Sequence, residues 1–429
     1  MNTLEMAPVG LAPVEVGPLQ ESSRLSSGLD YYKPTMSQLA FEVEPDAEVT
    51  FTFHNRGEQR LLDYVDPASL RQRLDQLKDN GFSEAELGYL GSLKDSTGSN
   101  IFNQAYLDYL RSNELPPVNI GYDAELDDLT IDTTGVWPMV TFWETVIMSE
   151  VNEAYFENYL VSQNIDPFAV YEEGDRRLSE KIAILRANPD IKFSDFGTRR
   201  HFSLRWHKHV LERLNDECPE NFLGTSNVEF SNTFGKKPIG TFAHELPMVF
   251  AALADARGED VRQSHNALLK AWFERYGVDS STALTDTFGT DFFFADFSKD
   301  QAANWKGLRH DSGDPFEFGE KALAFYQKSG IDPLTKTIVF SDGLDIDQIL
   351  AIHDHFKGRI NIVFGWGTTL DNDLGIRALN IVMKATHVLD ARTGNEADTV
   401  KISDSVGKHI GSLALVGLYQ NVYFAAQAA

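Results

Sequence analysis

The sequence predicts an α/β protein built from parallel strands and crossover helices. From about residue 190, short apolar runs that end in small or charged residues alternate with amphipathic helices. This alternation is typical of βαβ units, in which a helix returns the chain to the start of the next parallel strand. The polar residues fall at the carboxyl ends of the runs, and in a β/α barrel those ends share the face that carries the active site.

Seven apolar runs are the predicted strands of this region: IKFSDFGTRR, NFLGTS, KPIGTFAHE, ALTDTFGTD, GLRHDSGDP, TIVFSDGLD and NIVFGWGTTL. The helices between them include PFEFGEKALAFYQKSG and DIDQILAIHDHFKG. We expect seven polar residues at the strand ends to converge: Arg199, Thr225, His244, Asp286, Arg309, Ser341 and Thr368. Loop and cap positions also favour small polar residues. Seven successive ends, several with Arg or His, nevertheless favour a site.

The first third of the chain predicts a mixed α/β unit. Residues 1–28 contain prolines and glycines but no basic segment followed by an apolar core, so we expect a flexible lead-in and not a signal peptide. The run EVTFTFHNR, residues 48–56, alternates apolar and polar residues as a half-buried strand does. A strand in LTIDTTGV is followed by apolar residues at helical spacing: Val140, Trp143, Val146, Ile147 and Val151.

Charge and composition limit the partners of this chain. Its 429 residues include 64 acidic and 38 basic ones, for a formal net charge of −26. This balance argues against nucleic acid and anionic membrane as main partners, and the apolar runs are too short to span a bilayer. A phosphate-bearing substrate would need locally concentrated cations or backbone N–H groups.

The one cysteine, Cys218, excludes an intrachain disulfide and indicates a reducing compartment, so we expect a cytoplasmic protein. Its acidic neighbours in NDECPE raise the pKa of a thiol, which argues against a nucleophilic cysteine.

Basic residues are concentrated in FGTRRHFSLRWHKH. Arg199 and Arg200 follow the strand, where an anionic ligand would meet them. From Arg205 onward, the helical spacing favours a solvated surface. His207 and His209 lie two residues apart on this helix and point to different sides, so they do not form a metal pair.

Three other runs end in polar or glycine-rich segments. In GLRHDSGDP, Asp311 and Asp314 flank Ser-Gly and suit a ribose diol or Mg²⁺, although Asp314 is at least equally suited to cap the next helix. Arg309 and Asp311 are the stronger candidates for ligand contacts. VFSDGLD and VFGWGTTLDND place glycines after strands, where a backbone can approach a phosphate. The sequence contains no GxxxxGK[ST] loop, GxGxxG fingerprint, Cys/His zinc spacing or GxSxG elbow.

A series of motifs then carries a resemblance: GLDYYKPTMSQLAF, FGTRRHFS, LGTSNVEFSNTFGKKPIGTFAHE, LRHDSGDP, VFSDGLD, FGWGTTL and VKISDSVGKHIG. In this order they resemble the motifs of the nicotinate phosphoribosyltransferases, which are type II phosphoribosyltransferases. The resemblance implies phosphoribosyl transfer from phosphoribosyl pyrophosphate to nicotinate, coupled to ATP hydrolysis with Mg²⁺, in NAD salvage. It also implies an incomplete TIM-like α/β barrel over residues 136–384 and a mixed α/β domain from residues 29–135 and 385–429.

The resemblance assigns roles residue by residue. His244 matches the histidine that ATP phosphorylates, and Glu245 either orients its ring or is a solvent-facing acid of the first helical turn. Nicotinate contacts are implied at four positions: Tyr32, Arg200, Thr241 and Arg309. Contacts to phosphoribosyl pyrophosphate are implied at seven positions: Arg199, Asp311, Ser341, Gly343, Gly365, Gly367 and Thr368. No metal ligand is identified.

One difference from the nicotinamide-using relatives and two departures from the family pattern remain. Ser226 stands where nicotinamide-using relatives carry an aspartate, and because an acid would repel a carboxylate, serine favours nicotinate. His201 replaces a third arginine and Val406 a proline. The alternatives are a same-fold enzyme acting on nicotinamide or quinolinate, or a non-catalytic nucleotide-binding paralogue. A homodimer is an alternative to a monomer, since sites of this fold are often completed across a dimer.

Overall fold

The structure is a computed structural model that describes residues 24–405 and 407–424. Most of the expected flexible lead-in, residues 1–23, lies outside the described residues, as does Val406. The described end of the lead-in differs from that expectation, because Leu25–Gly28 forms a buried 3-10 helix.

Eleven strands occur in the described residues: β1 (Glu48–Asn55), β2 (Val118–Asp123), β3 (Asp128–Val136), β4 (Phe193–Asp195), β5 (Phe222–Thr225), β6 (Thr282–Leu284), β7 (Gly307–His310), β8 (Thr337–Phe340), β9 (Asn361–Trp366), β10 (Ile381–Leu389) and β11 (Glu396–Asp398). The α-helices are α1 (Tyr32–Val43), α2 (Pro67–Asn80), α3 (Glu84–Ser92), α4 (Gln104–Ser112), α5 (Trp137–Val140), α6 (Trp143–Ser162), α7 (Pro167–Ala187), α8 (Leu204–Glu217), α9 (Val228–Thr233), α10 (Glu245–Ala256), α11 (Val261–Tyr276), α12 (Thr290–Asp296), α13 (Lys299–Asn304), α14 (Pro315–Lys328), α15 (Ile346–Phe356), α16 (Thr368–Asp371) and α17 (Leu413–Phe424).

Both ends of the chain contribute to a five-stranded sheet in the order β11-β10-β1-β3-β2, whose neighbouring strands are antiparallel. The alternation predicted for β1 is confirmed, since Val49, Phe51 and Phe53 are buried between more exposed residues. A sheet with one covered face requires this period of two. The sheet joins strands that are more than 200 residues apart, because β1 pairs with β10 along its whole length.

The second sheet is parallel and has the order β5-β4-β9-β8-β7-β6. The predicted α/β class, with a parallel unit and a second unit built from both chain ends, is therefore confirmed. Within the described residues, the edge strands β5 and β6 do not pair with each other, so hydrogen bonds do not close the parallel sheet into a barrel. The domain limits given above remain a prediction.

One predicted strand is wrong. The run KPIGTFAHE is irregular from residue 236 to residue 243, and a single backbone bond from Ile239 N to the Thr225 carbonyl ties it to β5. The run lies in the long connection between the two edge strands, β5 and β6, where no neighbouring strand offers a ladder. His244 therefore enters the site from this connection and not from a strand end.

The apolar residues of both sheets and most of their helices form one large core, and a smaller second cluster contains residues of α10, α12 and α17. The positions predicted on the long helix are all buried: Val140, Trp143, Val146, Ile147 and Val151. Within residues 24–405 and 407–424, none of the helices combines the length and apolar character that crossing a bilayer requires.

Candidate active site

The parallel sheet delivers several predicted side chains to its carboxyl end. Arg309 lies in β7 and Asp311 follows it, Asp286 follows β6, and Ser341 follows β8. His244 precedes the first residue of α10. Because the ends of parallel strands meet at one edge, these residues, which are distant in sequence, form one contact network.

The His244 cluster comprises His244, Asp286 and Asp311, whose potential ligand atoms all lie within 4.8 Å of one another. The Nδ1 atom of His244 lies 2.9 Å from the Thr287 hydroxyl. Its Nε2 atom lies 2.9 Å from Asp311 Oδ2, 3.6 Å from Asp286 Oδ1 and 3.0 Å from Lys401 Nζ. Three charged groups thus converge on one ring nitrogen.

These contacts set a competition between the two neutral tautomers of His244. Burial lowers the pKa of His244, and Lys401 lowers it further against the opposite influence of Asp286 and Asp311. Asp311 accepts only if Nε2 carries the proton, whereas Lys401, which is only a donor, requires the lone pair on Nε2. The Thr287 hydroxyl serves either tautomer, so the balance between Asp311 and Lys401 decides which nitrogen carries the free lone pair.

Arg309 is held in a fixed orientation by three side chains. Its guanidinium donates to the Ser341 hydroxyl at 2.8 Å, to the Thr241 hydroxyl at 3.0 Å and to Asp311 Oδ1 at 2.9 Å. Burial opposes the charge of Asp311, but Arg309 and His244 hold the pKa of that carboxyl well below its usual range. Asp311 therefore connects the predicted nicotinate contact, Arg309, to the predicted phosphoryl acceptor.

Tyr32 and the arginine pair form the second part of the site. The Arg199 guanidinium lies over the Tyr32 ring, 5.8 Å from its centroid, and pairs with Asp30 at 2.8 Å. Arg200 forms no ion pair within the described part of the chain. Burial and the charge of Arg199 lower the pKa of Arg200 to about 10. A half-buried cation without an ion-pair partner among the described residues is suited to an anionic ligand.

Ser226 differs from its expected environment. Its hydroxyl donates to Asp30 at 2.5 Å, so an acid does lie at this position, supplied by another part of the chain. Arg199 neutralises that acid. Asp30 could not be predicted from Ser226 alone, because residues 30 and 226 become neighbours only through the fold.

The predicted phosphate loops have mixed surroundings. Gly343 has φ +58° and open space where a Cβ would lie, as expected of a backbone that a ligand can approach. A Cβ on Gly365 would lie 2.5 Å from the Phe196 ring, and one on Gly367 3.0 Å from the Phe196 carbonyl. These two glycines are therefore already required by packing. Thr368 begins the short helix α16.

Neither reading of Glu245 is correct. Its carboxylate is buried and pairs with Lys33 at 2.5 Å, and it accepts from Trp137 and Thr141 at 2.7 Å each. The Glu245 carboxylate faces away from solvent, and its partners are Lys33, Trp137 and Thr141 and not the His244 ring. Burial opposes the charge of Lys33, but Glu144 and Glu245 raise the pKa of Lys33 above its usual value. This buried pair links the residue after Tyr32 to the residue after His244.

The surface expected from Arg205 onward is also wrong at His207, which is fully buried. His207 pairs with Asp195 and His209 with Asp175, so the two histidines point to different sides as predicted. Burial and Glu217 raise the pKa of the Cys218 thiol to about 11, which agrees with an unreactive cysteine.

Lys401 and Phe196 also contact the site and were not predicted from the sequence. Lys401 lies in VKISDSVGKHIG, which carried the resemblance but drew no residue assignment. Phe196 follows β4, and its ring lies 5.6 Å from the Arg309 guanidinium. A cavity of about 660 Å³ is lined by Phe196 and Thr241. It is also lined by Lys306 and Thr337, which lie at the amino ends of β7 and β8. His244, Arg309 and Asp311 do not line this cavity.

The chain matches known proteins along most of its length. Residues 29–152 match the N-terminal domain of the nicotinate phosphoribosyltransferase (NAPRTase) family, and residues 191–426 match the NAPRTase family itself. Nicotinate phosphoribosyltransferase of Chromobacterium violaceum is 39% identical over 388 residues, covering 88% of this chain and 91% of that protein. The enzyme of Neisseria meningitidis serogroup C is 40% identical over 390 residues, covering 88% and 91%.

Solved structures agree with the sequence matches. The crystal structure of nicotinate phosphoribosyltransferase from Porphyromonas gingivalis aligns with a TM-score of 0.83 and 30% identity, over 94% of this chain and all of that one. The corresponding structure from Vibrio cholerae aligns with a TM-score of 0.81 and 32% identity, over 94% of each chain. The chain therefore belongs to the nicotinate phosphoribosyltransferase family.

Proposed function

We propose that this chain is a nicotinate phosphoribosyltransferase of NAD biosynthesis that couples transfer to ATP hydrolysis through a phosphohistidine at His244. The family matches over both parts of the chain support the transferase activity. The observation that carries the phosphohistidine is the contact of Lys401 with His244 Nε2 at 3.0 Å. The cation favours the lone pair on this nitrogen and lies where a transferred phosphoryl group would need a positive charge.

In the proposed reaction, the nicotinate ring nitrogen attacks the anomeric carbon of phosphoribosyl pyrophosphate. The new C–N bond forms as the C–O bond to pyrophosphate breaks, so nicotinate mononucleotide and pyrophosphate are released. The ring nitrogen supplies its own lone pair and needs no general base. The protein contributes orientation and electrostatic stabilisation, and Arg200 and Arg309 are the cations for the nicotinate carboxylate.

Two carboxylates fit the Mg²⁺ that the resemblance implies. Asp286 Oδ1 is buried and accepts no hydrogen bond within the described residues, and Asp311 offers a second oxygen close to it. Carboxylate oxygens are the ligands that Mg²⁺ prefers. Such an ion would supply positive charge to the phosphates, and Asp286 and Asp311 are the residues that would hold it.

The phosphohistidine gives ATP a role without a phosphate-binding loop. His244 takes the γ-phosphoryl group and releases ADP, and water later cleaves the P–N bond to return the histidine and release phosphate. A phosphoryl group carries about −1.5 to −2 charges, so it would draw Lys401 from its ion pair with Asp286, which measures 3.2 Å. The position of Arg309 would also change, because both Arg309 and His244 bond to the Asp311 carboxylate.

Incubation with γ-labelled ATP tests the acceptor. We expect an acid-labile, base-stable label on the wild-type chain and none on His244→Ala. His355→Ala is the matched control, because His355 lies on α15 and pairs with Glu320 away from the site. Persistence of the label in His244→Ala would show that another residue is phosphorylated.

A substrate panel tests the activity itself. We expect pyrophosphate release with nicotinate plus phosphoribosyl pyrophosphate and much less with nicotinamide or quinolinate, because Arg200 and Arg309 favour a single ring carboxylate. Release with nicotinamide or quinolinate alone would assign the chain to those substrates. Binding of phosphoribosyl pyrophosphate without turnover of any base would indicate a non-catalytic paralogue.

A further inference from the structure

A second group of one histidine and two aspartates lies outside the His244 cluster. The His207 cluster comprises Asp195, His207 and Asp371, which are all fully buried. Their potential ligand atoms lie within 4.8 Å of one another. The cluster lies at the carboxyl end of β4, directly before the loop that carries Arg199 and Arg200. The proposed reaction uses none of its three members.

Hydrogen bonds are distributed unequally within the His207 cluster. Asp195 accepts from Gly197 N–H at 2.6 Å, from His207 Nε2 at 2.8 Å and from the Thr225 hydroxyl. Neither carboxyl oxygen of Asp371 accepts a hydrogen bond from a donor in the described part of the chain. A buried carboxylate without donors is strongly disfavoured, whereas a protonated carboxyl carries its own donor.

We propose that Asp371 holds a proton that it donates to Asp195, and that this acid pair positions the loop carrying Arg199 and Arg200. Burial and the charge of Asp195 raise the pKa of Asp371 well above its usual range. Burial opposes the charge of Asp195, but His207 and the other donors to Asp195 lower the pKa of this carboxyl to about 2. One acid is thereby neutral and the other ionised, as when two carboxylates share a site.

The acid pair contacts the backbone of residues 196–202 directly. A Cβ on Gly197 would lie 2.0 Å from Asp371 Oδ2, so only glycine allows the carboxyl to lie against the chain here. The N–H of Gly197 donates to Asp195, and the N–H of Phe202 donates to the Asp371 carbonyl at 3.0 Å. The acid pair therefore holds the start of a short loop at Gly197, and the main chain of Asp371 holds its other end at Phe202.

Both arginines lie between these fixed ends. The Arg200 carbonyl accepts from Asn372, the residue after Asp371, at 2.9 Å. Because the Arg200 guanidinium forms no ion pair within the described residues, the loop backbone sets its position. Misplacement of a binding group by about 1 Å can cost up to ~100-fold in activity. This role of the acid pair rests on the proposed function, in which Arg199 and Arg200 meet anionic substrates.

A bound divalent cation is the competing explanation for these three side chains, since carboxylate and imidazole are also metal ligands. The oxygens of Asp195 already receive three protein donors, and a shared proton satisfies the remaining contact with Asp371. Elemental analysis of the purified wild-type protein distinguishes the two. A stoichiometric divalent cation that Asp371→Asn loses would overturn the shared proton.

Infrared spectroscopy tests the proton without reference to activity. At neutral pH we expect a carbonyl band of a protonated carboxylic acid that Asp371→Asn removes. Asp286→Asn is the matched control and should retain the band, because the pKa of Asp286 lies below its usual value despite burial. Absence of the band from the wild-type protein, or its survival in Asp371→Asn, would overturn the proposal.

Steady-state kinetics test the positioning. Asp371→Leu has a similar size but no donor, and we expect the KM for phosphoribosyl pyrophosphate to rise about tenfold with a smaller change in kcat. Asp371→Asn supplies an N–H donor and should recover most of that KM. An equal rise in both variants would refute positioning through a donated hydrogen bond. If Asp371→Leu does not fold, the infrared band and Asp371→Asn decide the question, and an inactive wild-type chain would contradict only the proposed function.

Discussion

The His244 and His207 clusters contain the same residue types at the same end of the parallel sheet, yet their charges are balanced in opposite ways. Around His244, Lys401 lies 3.0 Å from the ring and Arg309 lies 2.9 Å from Asp311. Around His207, Asp195 is held by Gly197 N–H, Thr225 and the imidazole, and Asp371 has no donor in the described residues. Cations stabilise the first cluster, and a proton stabilises the second.

This difference has a physical consequence for each cluster. A charged network at the edge of a site can exchange partners with an anionic ligand, because its cations lose little when a phosphate replaces a carboxylate. A fully buried acid pair has no such exchange and instead fixes the backbone that it contacts. The same residue types are therefore proposed to carry chemistry in the His244 cluster and positioning in the His207 cluster.

The largest expected effect separates the two histidines. His244→Gln should abolish phosphorylation by ATP, because it removes the nucleophile. His207→Gln should retain the label and lower the free energy of unfolding by about 1–3 kcal/mol, because a buried hydrogen bond to Asp195 is disturbed. Labelling and denaturant titration measure both. Loss of the label in folded His207→Gln would break the comparison.

The next effect concerns the ionised acid of the His207 cluster. Asp195→Ala removes the acceptor of three donors and should lower the free energy of unfolding by about 3–5 kcal/mol. Glu173→Ala on α7 is the control and should have a much smaller effect, since Glu173 pairs with Arg176 and Arg177 at partly exposed positions. Chemical denaturation measures both variants. An equal decrease in the free energy of unfolding in both variants would show that the buried contacts of Asp195 stabilise the fold no more than the ion pairs of Glu173 do.

A third effect tests the fixed orientation of Arg309. Arg309→Lys keeps the charge but cannot donate to Ser341, Thr241 and Asp311 together. Loss of one charge-assisted bond, at about 1.5–3 kcal/mol, predicts a rise of roughly 10- to 150-fold in the KM for nicotinate. Lys321→Arg, at an exposed ion pair with Asp291, is the control. An unchanged KM would show that the charge alone suffices.

The smallest effect is a shift in pH dependence. Because the pKa of His244 lies below the ordinary value of about 6.5, phosphorylation should persist at pH values where a free histidine is protonated. It should fall as the pH decreases through the folded-state pKa. Lys401→Met removes a cation and should move the midpoint of this fall to higher pH. Asp311→Asn removes an anion and should move it to lower pH.

The lowered pKa of His244 also makes the free energy of unfolding depend on pH. Since the pKa of His244 is lower in the folded state, protonation favours the unfolded chain, and the penalty develops as the pH falls from the unfolded pKa to the folded one. The pH profiles of labelling in the two variants check the assignment. Shifts in the same direction would contradict the opposing influences of Lys401 and Asp311.

Sequence patterns correctly predicted the features that depend only on residues nearby in the chain. The alternation in β1, the cap at Asp314 and the opposite directions of His207 and His209 follow from backbone periodicity and short-range bonds. The reading failed for KPIGTFAHE, because a strand requires a neighbouring strand and this run lies between the two sheet edges. It failed for Glu245 because its partner, Lys33, is 212 residues away.

The sequence alone determined the α/β class, the order of the motifs and therefore the family, because these depend on periodicity and on residues in fixed local order. It also placed His244, Arg309, Asp311 and Ser341 among the candidates. Tertiary structure alone decided that Lys401 contacts His244, that Asp30 lies at Ser226, and that Asp371 lies beside Asp195. These contacts join segments more than 150 residues apart. Electrostatic energies depend on distance and burial in space, and neither can be read from separation along the chain.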